Sequence, residues 1–163
     1  MDFFRRGEKR ATPFEHARIL VPVLGDDEVD VPALKVAALL LGGREGVETA
    51  LLHVIEIPFD RTLDAEDEAA VARADEIPSR AEALLSARGI PVRTSTVQAR
   101  AAGPAIVDDA NELGADLIVM GLRYKKRFGG QWDAGRTVPY VMRNSTAPVW
   151  CLRAETKELA HTP

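Results

Sequence analysis

The sequence predicts an α/β fold, a parallel sheet with helices on both faces, and two observations carry that prediction. Short apolar, β-branched runs alternate with segments of helical periodicity along nearly the whole chain. Two of those runs, "ILVPV" and "LIVM", are continuously apolar, as strands covered on both sides are. A strand-helix-strand order of this kind folds into right-handed crossovers that carry each helix back over a parallel sheet.

The elements follow in order. "ARILVPV" (17–23) reads as a buried strand ending at Gly25. Asp30 and Pro32 are expected to open a helix with Leu34, Ala37, Ala38 and Leu41 on one face, stopped by "GGREG". "VETALLHVIEI" gives a second strand centred on 51–55 and ended by Pro58. The acidic stretch from Asp60 to Glu76 is expected to be a linker or a frayed helix start. Ile77, Ala81, Leu84 and Leu85 then share one face of a helix that Gly89 closes. "IPVRTSTVQA" (90–99) alternates apolar and polar residues, the pattern of a half-covered strand. "GPAIVDDANELGA" is a third helix, with Ile106, Val107, Ala110 and Leu113 inward and Gly114 as its stop. "DLIVMG" is a fully buried strand. Thr137 and Pro139 are expected to cap and start a fourth helix through about Asn144, and "APVWCLR" is the last strand.

At 163 residues the chain fits one domain. Its net charge of −4 gives no reason to expect a nucleic-acid partner, which calls for a basic face. The single cysteine, Cys151, rules out an internal disulfide and suits a reducing compartment. No run approaches a membrane span or a signal peptide, so a soluble, cytoplasmic protein is expected. Arg5, Arg6, Lys9 and Arg10 make 1–16 a basic segment, either a solvated terminus or a membrane-proximal one. The domain occupies 17–153, and 154–163 reads as a flexible tail.

Open parallel sheets bind ligands beyond the carboxyl ends of their strands, where the strand order reverses. Those ends are Val23–Asp27 after the first strand and Gly121–Gly135 after the fourth.

Four segments together, "ARILVPVLG", "LLHVIEIP", "ELGADLIVMG" and "GRTVPYVMRNSTAPVWCLR", resemble the universal stress protein family over 17–153. The resemblance implies a Rossmann-like five-stranded parallel sheet in order 3-2-1-4-5. It also implies a homodimer with last strands paired and, in one branch, ATP at the switch point. ATP-binding members follow the fourth strand with Gly-x2-Gly, nine residues, Gly and then Ser or Thr. Here Gly121 and Gly135 match the first and last glycines, but Tyr124 replaces the second. Ten residues separate Tyr124 from Gly135, Arg136 takes the hydroxyl's place, and Thr137 is one step on. Leu24 stands where those members carry an Asp, with Asp26 and Asp27 following. The usual ATP motif is degraded, and a bulky Tyr124 fills space that phosphates need.

Candidate ligand residues follow from that likeness. Val21, Pro22, Val23, Leu24 and Val54 would form the base pocket, with Met120 beside it. Gly121 and Gly135 would shape the turn, and Gly129 and Gly130 offer an alternative one. Arg123, Lys125, Arg127 and Arg136 supply positive charge at a helix N-terminus, with the Thr137 hydroxyl nearby. Trp132 or Tyr124 would stack on a base. The ligand would be ATP, AMP or another nucleotide or anion. The competing reading is that the basic residues solubilise a surface loop pinned by Tyr124, Phe128 and Trp132.

Nothing in the sequence assembles a catalytic set. His53 lies mid-strand and reads as a hydrogen-bonded core or interface residue, while His16 and His161 read as tail residues, so no three-histidine metal cluster is expected. Cys151 reads as a small hydrophobe without a cationic partner. Asp108 and Asp109 diverge by about 100° on their helix. Ser79, Ser86, Ser95 and Ser145 lack a nucleophile elbow. A weak ATPase would depend on Asp26 or Asp27. The sequence therefore predicts a non-catalytic regulatory module that binds a nucleotide or anion. The alternative is a dimeric protein-interaction module joined through Val149, Trp150, Cys151 and Leu152, with an exposed Trp150 expecting a partner. Domains of this family also form cytoplasmic tails of membrane transporters, which makes a transporter a candidate partner.

Overall fold

The computed structural model describes residues 16–62, 68–123, 125–126 and 132–153. Its order is β1 (Arg18–Val23), α1 (Asp27–Leu41), β2 (Glu48–Glu56), α2 (Glu68–Ser86), β3 (Val92–Ala99), α3 (Ala102–Leu113) and β4 (Leu117–Leu122). Two short strands follow, β5 (Lys125–Lys126) and β6 (Trp132–Asp133), then α4 (Thr137–Asn144) and β7 (Val149–Arg153). The main sheet is parallel with order β3-β2-β1-β4-β7, so the expected 3-2-1-4-5 arrangement is present with β7 as fifth strand. β5 and β6 pair antiparallel as a separate hairpin, which the sequence reading did not anticipate.

Each face of the sheet carries its own core. Ile19, Val21, Val23, Leu51, Leu117 and Val119 pack under α1 and α2 through Ala33, Ala37, Leu41, Ala81 and Leu85. Leu20, Leu52, Ile118 and Met120 pack under α3 and α4 through Ile106, Ala110, Val138 and Val141. Successive strand residues alternate between the two cores, which is why the central strands are apolar without interruption.

Four expectations are corrected. α1 begins at Asp27, one turn before Asp30, because Asp26 caps it by accepting from the Glu28 amide at 3.1 Å. Pro32 therefore lies inside the helix rather than at its start. α2 begins at Glu68, so of the two readings of the acidic stretch, linker or frayed helix start, the helical one holds from there on, where "EAAVARADE" is rich in strong helix formers. Leu84 is 44% exposed, because Ile77, Ala81 and Leu85 define the inward stripe and Leu84 sits one step round it. Thr137 is the first helical residue of α4 and Arg136 is its N-cap, without a side-chain capping bond.

Candidate functional site

The ladder between β1 and β4 is short. It holds at Ile19↔Leu117 and Leu20↔Ile118, although β1 runs on to Val23 and β4 to Leu122. The backbone explains where it stops. The Arg18 carbonyl accepts from the Asp116 amide at 3.0 Å, and the Ala17 carbonyl accepts from the Glu48 amide at 2.7 Å. Even-numbered residues of β1 thus face β4 and odd-numbered ones face β2. Pro22 falls in the even series and has no N–H to continue the ladder. On its other side β1 stays paired with β2 through Val23↔His53, and His53 Nδ1 bonds the Val23 carbonyl at 2.9 Å. The two strands beside the reversal of strand order therefore part as a hydrogen-bonded pair before their carboxyl ends.

Asp30 organises the tip of β1. Its carboxylate accepts from the Leu24 amide at 2.9 Å and from the Gly25 amide at 2.8 Å while only 7% exposed. Burial pushes its carboxyl above the ordinary 3.8, opposed by bonds from the Leu24, Gly25 and Asp26 amides, with the Asp26 charge adding to the rise. Gly25 takes φ +82°, and a β-carbon there would lie 2.7 Å from Ile77 Cδ1. Across the parting, Arg123 Nη2 donates to Asp26 Oδ2 at 2.5 Å, linking the tips of β4 and β1.

Helix N-termini are the natural anion sites of this edge, and the chain fills two of them itself. Asp26 occupies the start of α1 by accepting from the Glu28 amide. Glu56 Oε1 accepts from the Ala102 amide at 2.7 Å at the start of α3. At the start of α4 the N-cap is Arg136, whose own side chain makes no capping bond, and Gly135 precedes it at φ +71°.

The structure divides the candidate ligand residues. Val21 and Val23 are 0% and 1% exposed in the core under α1 and α2. Pro22 is buried, Met120 is 4% exposed, and Val54 packs at the margin of the opposite core. Leu24 alone of the base-pocket set is open, at 48%. Gly121 has a packing role: a β-carbon on it would lie 2.0 Å from the Val29 carbonyl oxygen, so only glycine lets the first turn of α1 rest on β4. Arg123, Gly135 and Arg136 are exposed and Thr137 is half-buried. Lys125 lies in β5, while Tyr124, Arg127, Phe128, Gly129 and Gly130 lie outside the described residues.

Sequence reasoning missed Asp30 as a ligand of backbone amides, the Asp26–Arg123 pair and the Glu56 cap. The acidic cluster after β1 was the available signal for the first two. It also missed Arg100, whose guanidinium donates to the Ile57, Pro58 and Arg61 carbonyls and lies 5.3 Å from the Phe59 ring centroid. Trp150 is half-buried rather than bare, because it packs on the core and meets the His16 ring edge-on at 6.0 Å. His16 Nδ1 lies 3.5 Å from Asp116 Oδ1. Cys151 is half-buried, and burial pushes its thiol up. A groove of about 400 Å³ runs between β3 and α3, lined by Val97, Arg100, Pro104 and Asp109 among others. Among the described residues no cluster of metal-ligating side chains occurs, and no helix is long and apolar enough to cross a membrane.

Comparison with known proteins agrees with this fold. The structure of the universal stress protein from Archaeoglobus fulgidus in complex with dAMP superposes with a TM-score of 0.65 at 24% identity, covering 83% of this chain and 97% of that one. Protein MJ0577 gives a TM-score of 0.71 at 22% identity, covering 86% and 98%. A universal stress family protein from Arabidopsis thaliana with AMP bound gives 0.65 at 12% identity, covering 87% and 94%. No curated protein sequence matches. The model of the universal stress protein family matches residues 16–153. The chain belongs to the universal stress protein family.

Proposed function

We propose that the chain is a non-catalytic regulatory module that binds a nucleotide where β1 and β4 part. The observation that carries this reading is the allocation of helix N-termini at the carboxyl edge of the sheet. Carboxylates of the chain itself occupy the starts of α1 and α3, whereas at α4 the N-cap residue Arg136 makes no capping bond with its own side chain. A phosphate placed there would meet backbone N–H groups and a guanidinium. Gly135 and Thr137 flank that position, and Lys125, Arg127 and Gly130 belong to the segment leading to it. Leu24 offers an exposed apolar surface for a base. Adenine nucleotides occupy two of the relatives above, which favours AMP or ATP over an unrelated anion. With Tyr124 in place of the second glycine, the phosphate end departs from the family's usual ATP motif.

Isothermal titration with ATP, AMP and a cyclic dinucleotide tests the reading. Binding of an adenine nucleotide is the expected result. No heat and no thermal shift at millimolar ligand would refute it.

Assembly is proposed from a separate observation. β7 is an edge strand of the sheet, and Val149, Trp150, Cys151 and Leu152 are half-buried on it. Pairing with β7 of a second copy would satisfy its open backbone groups and give a homodimer. The same surface would serve the alternative role of a protein-interaction module, and a cytoplasmic setting suits both. Sedimentation equilibrium at micromolar concentration is expected to give a dimer, and a monomer there would refute it.

A further inference from the structure

We propose that the Asp26–Arg123 ion pair is a charge gate across the opening between β1 and β4, and that it sets the site's affinity for the phosphate of its ligand. This rests on the nucleotide reading above.

The pair joins the two elements whose tips form the opening. Arg123 stands just beyond β4, two residues after Gly121, and Asp26 stands between the end of β1 and α1. Asp26 divides its carboxylate between two tasks. Oδ1 accepts from the Glu28 amide at 3.1 Å as the helix cap, and Oδ2 accepts from Arg123 at 2.5 Å. Only the second contact crosses the opening. Neither partner is sealed away, with side chains 51% exposed at Arg123 and 32% at Asp26. Such a pair is weak enough to exchange, since exposed ion pairs contribute little to stability.

The consequence is electrostatic. While Arg123 is held by Asp26, the lip of the opening carries a neutralised pair, and an arriving phosphate gains little there. To bind through Arg123 the ligand must displace a carboxylate already in place. Exchanging one anion for another leaves a small net gain and places Asp26 close to the phosphate. The uncharged part of a nucleoside is unaffected, so the gate discriminates by ligand charge and not by size.

Asp26→Asn tests this cleanly, because Asn caps helices about as well as Asp and keeps α1 intact. A matching melting curve confirms the fold. Titrations use ATP and adenosine without divalent metal, in wild type, Asp26→Asn, Arg123→Ala and the double variant. Asp26→Asn is expected to tighten ATP roughly threefold to tenfold and to leave adenosine within about twofold. Arg123→Ala is expected to weaken ATP, and in its background Asp26→Asn should tighten ATP less than it does in wild type, because only the direct repulsion between Asp26 and the phosphate is then relieved. If Asp26→Asn tightens adenosine equally, or keeps its full effect without Arg123, the gate is overturned while nucleotide binding stands. If no form of the protein binds either compound, the nucleotide reading falls and the gate with it.

Discussion

At the scale of single residues, the tip of β1 depends on Asp30. Its carboxylate is the acceptor for the Leu24 and Gly25 amides, and no sequence rule for helix starts points to that role. Asp30→Ala leaves both amides without this partner, and a loss of roughly 1–3 kcal/mol is expected in urea denaturation. The pH dependence follows from the raised carboxyl. The folded chain holds the Asp30 proton more tightly than the unfolded chain, so its contribution to stability is greatest below the ordinary 3.8. That contribution declines as pH rises through the higher folded value. Wild-type stability measured against Asp30→Asn should therefore fall with rising pH across that window. A flat difference would show that burial does not govern the group. Gly121→Ala is expected to destabilise by about 1–3 kcal/mol, because its methyl group would meet the Val29 backbone carbonyl rather than a movable side chain. The sequence pointed to Gly121 as special but for ligand approach, since spacing alone cannot reveal a helix lying against a strand.

At the scale of elements, the parting of β1 and β4 traces to Pro22. Supplying an N–H there should extend the ladder. In Pro22→Ala the amide of residue 22 is expected to be protected from hydrogen exchange by pairing with β4, and a fast-exchanging amide would contradict the register argument. If the ligand lies in the opening, the same variant should bind it more weakly. The strands and helices themselves were legible because their apolar periods differ, continuous in β1 and β4 and helical in α1 and α3. The errors fell at helix starts. α1 began before its expected residue, and the start of α2 stayed open between linker and helix, because acidic side chains belong equally to a first turn, where they favour the positive helix end. The two-residue strands β5 and β6 gave no periodic signal to read.

At the scale of the whole molecule, ligand binding and assembly both have measurable effects on stability. A ligand at about a hundred times its dissociation constant adds roughly 2.7 kcal/mol, which for a chain of this size raises the melting temperature by roughly 5–10 °C. A dimer joined through β7 should show a melting temperature that rises with protein concentration, and a constant value would argue for a monomer. Hydrophobic patterning in the sequence determined the strands, the two covered faces of the sheet and where each strand ends. That was possible because burial leaves a periodic trace along the chain, and the right-handedness of crossovers fixes how alternating elements return. Only the tertiary structure decided which charges remain available. Asp30 turns back on Leu24 and Gly25, Glu56 reaches forward to Ala102, and Arg123 reaches across to Asp26, over separations in sequence from 5 to 97 residues. Such pairings depend on where folded elements come to rest, and no local pattern of residue types encodes them.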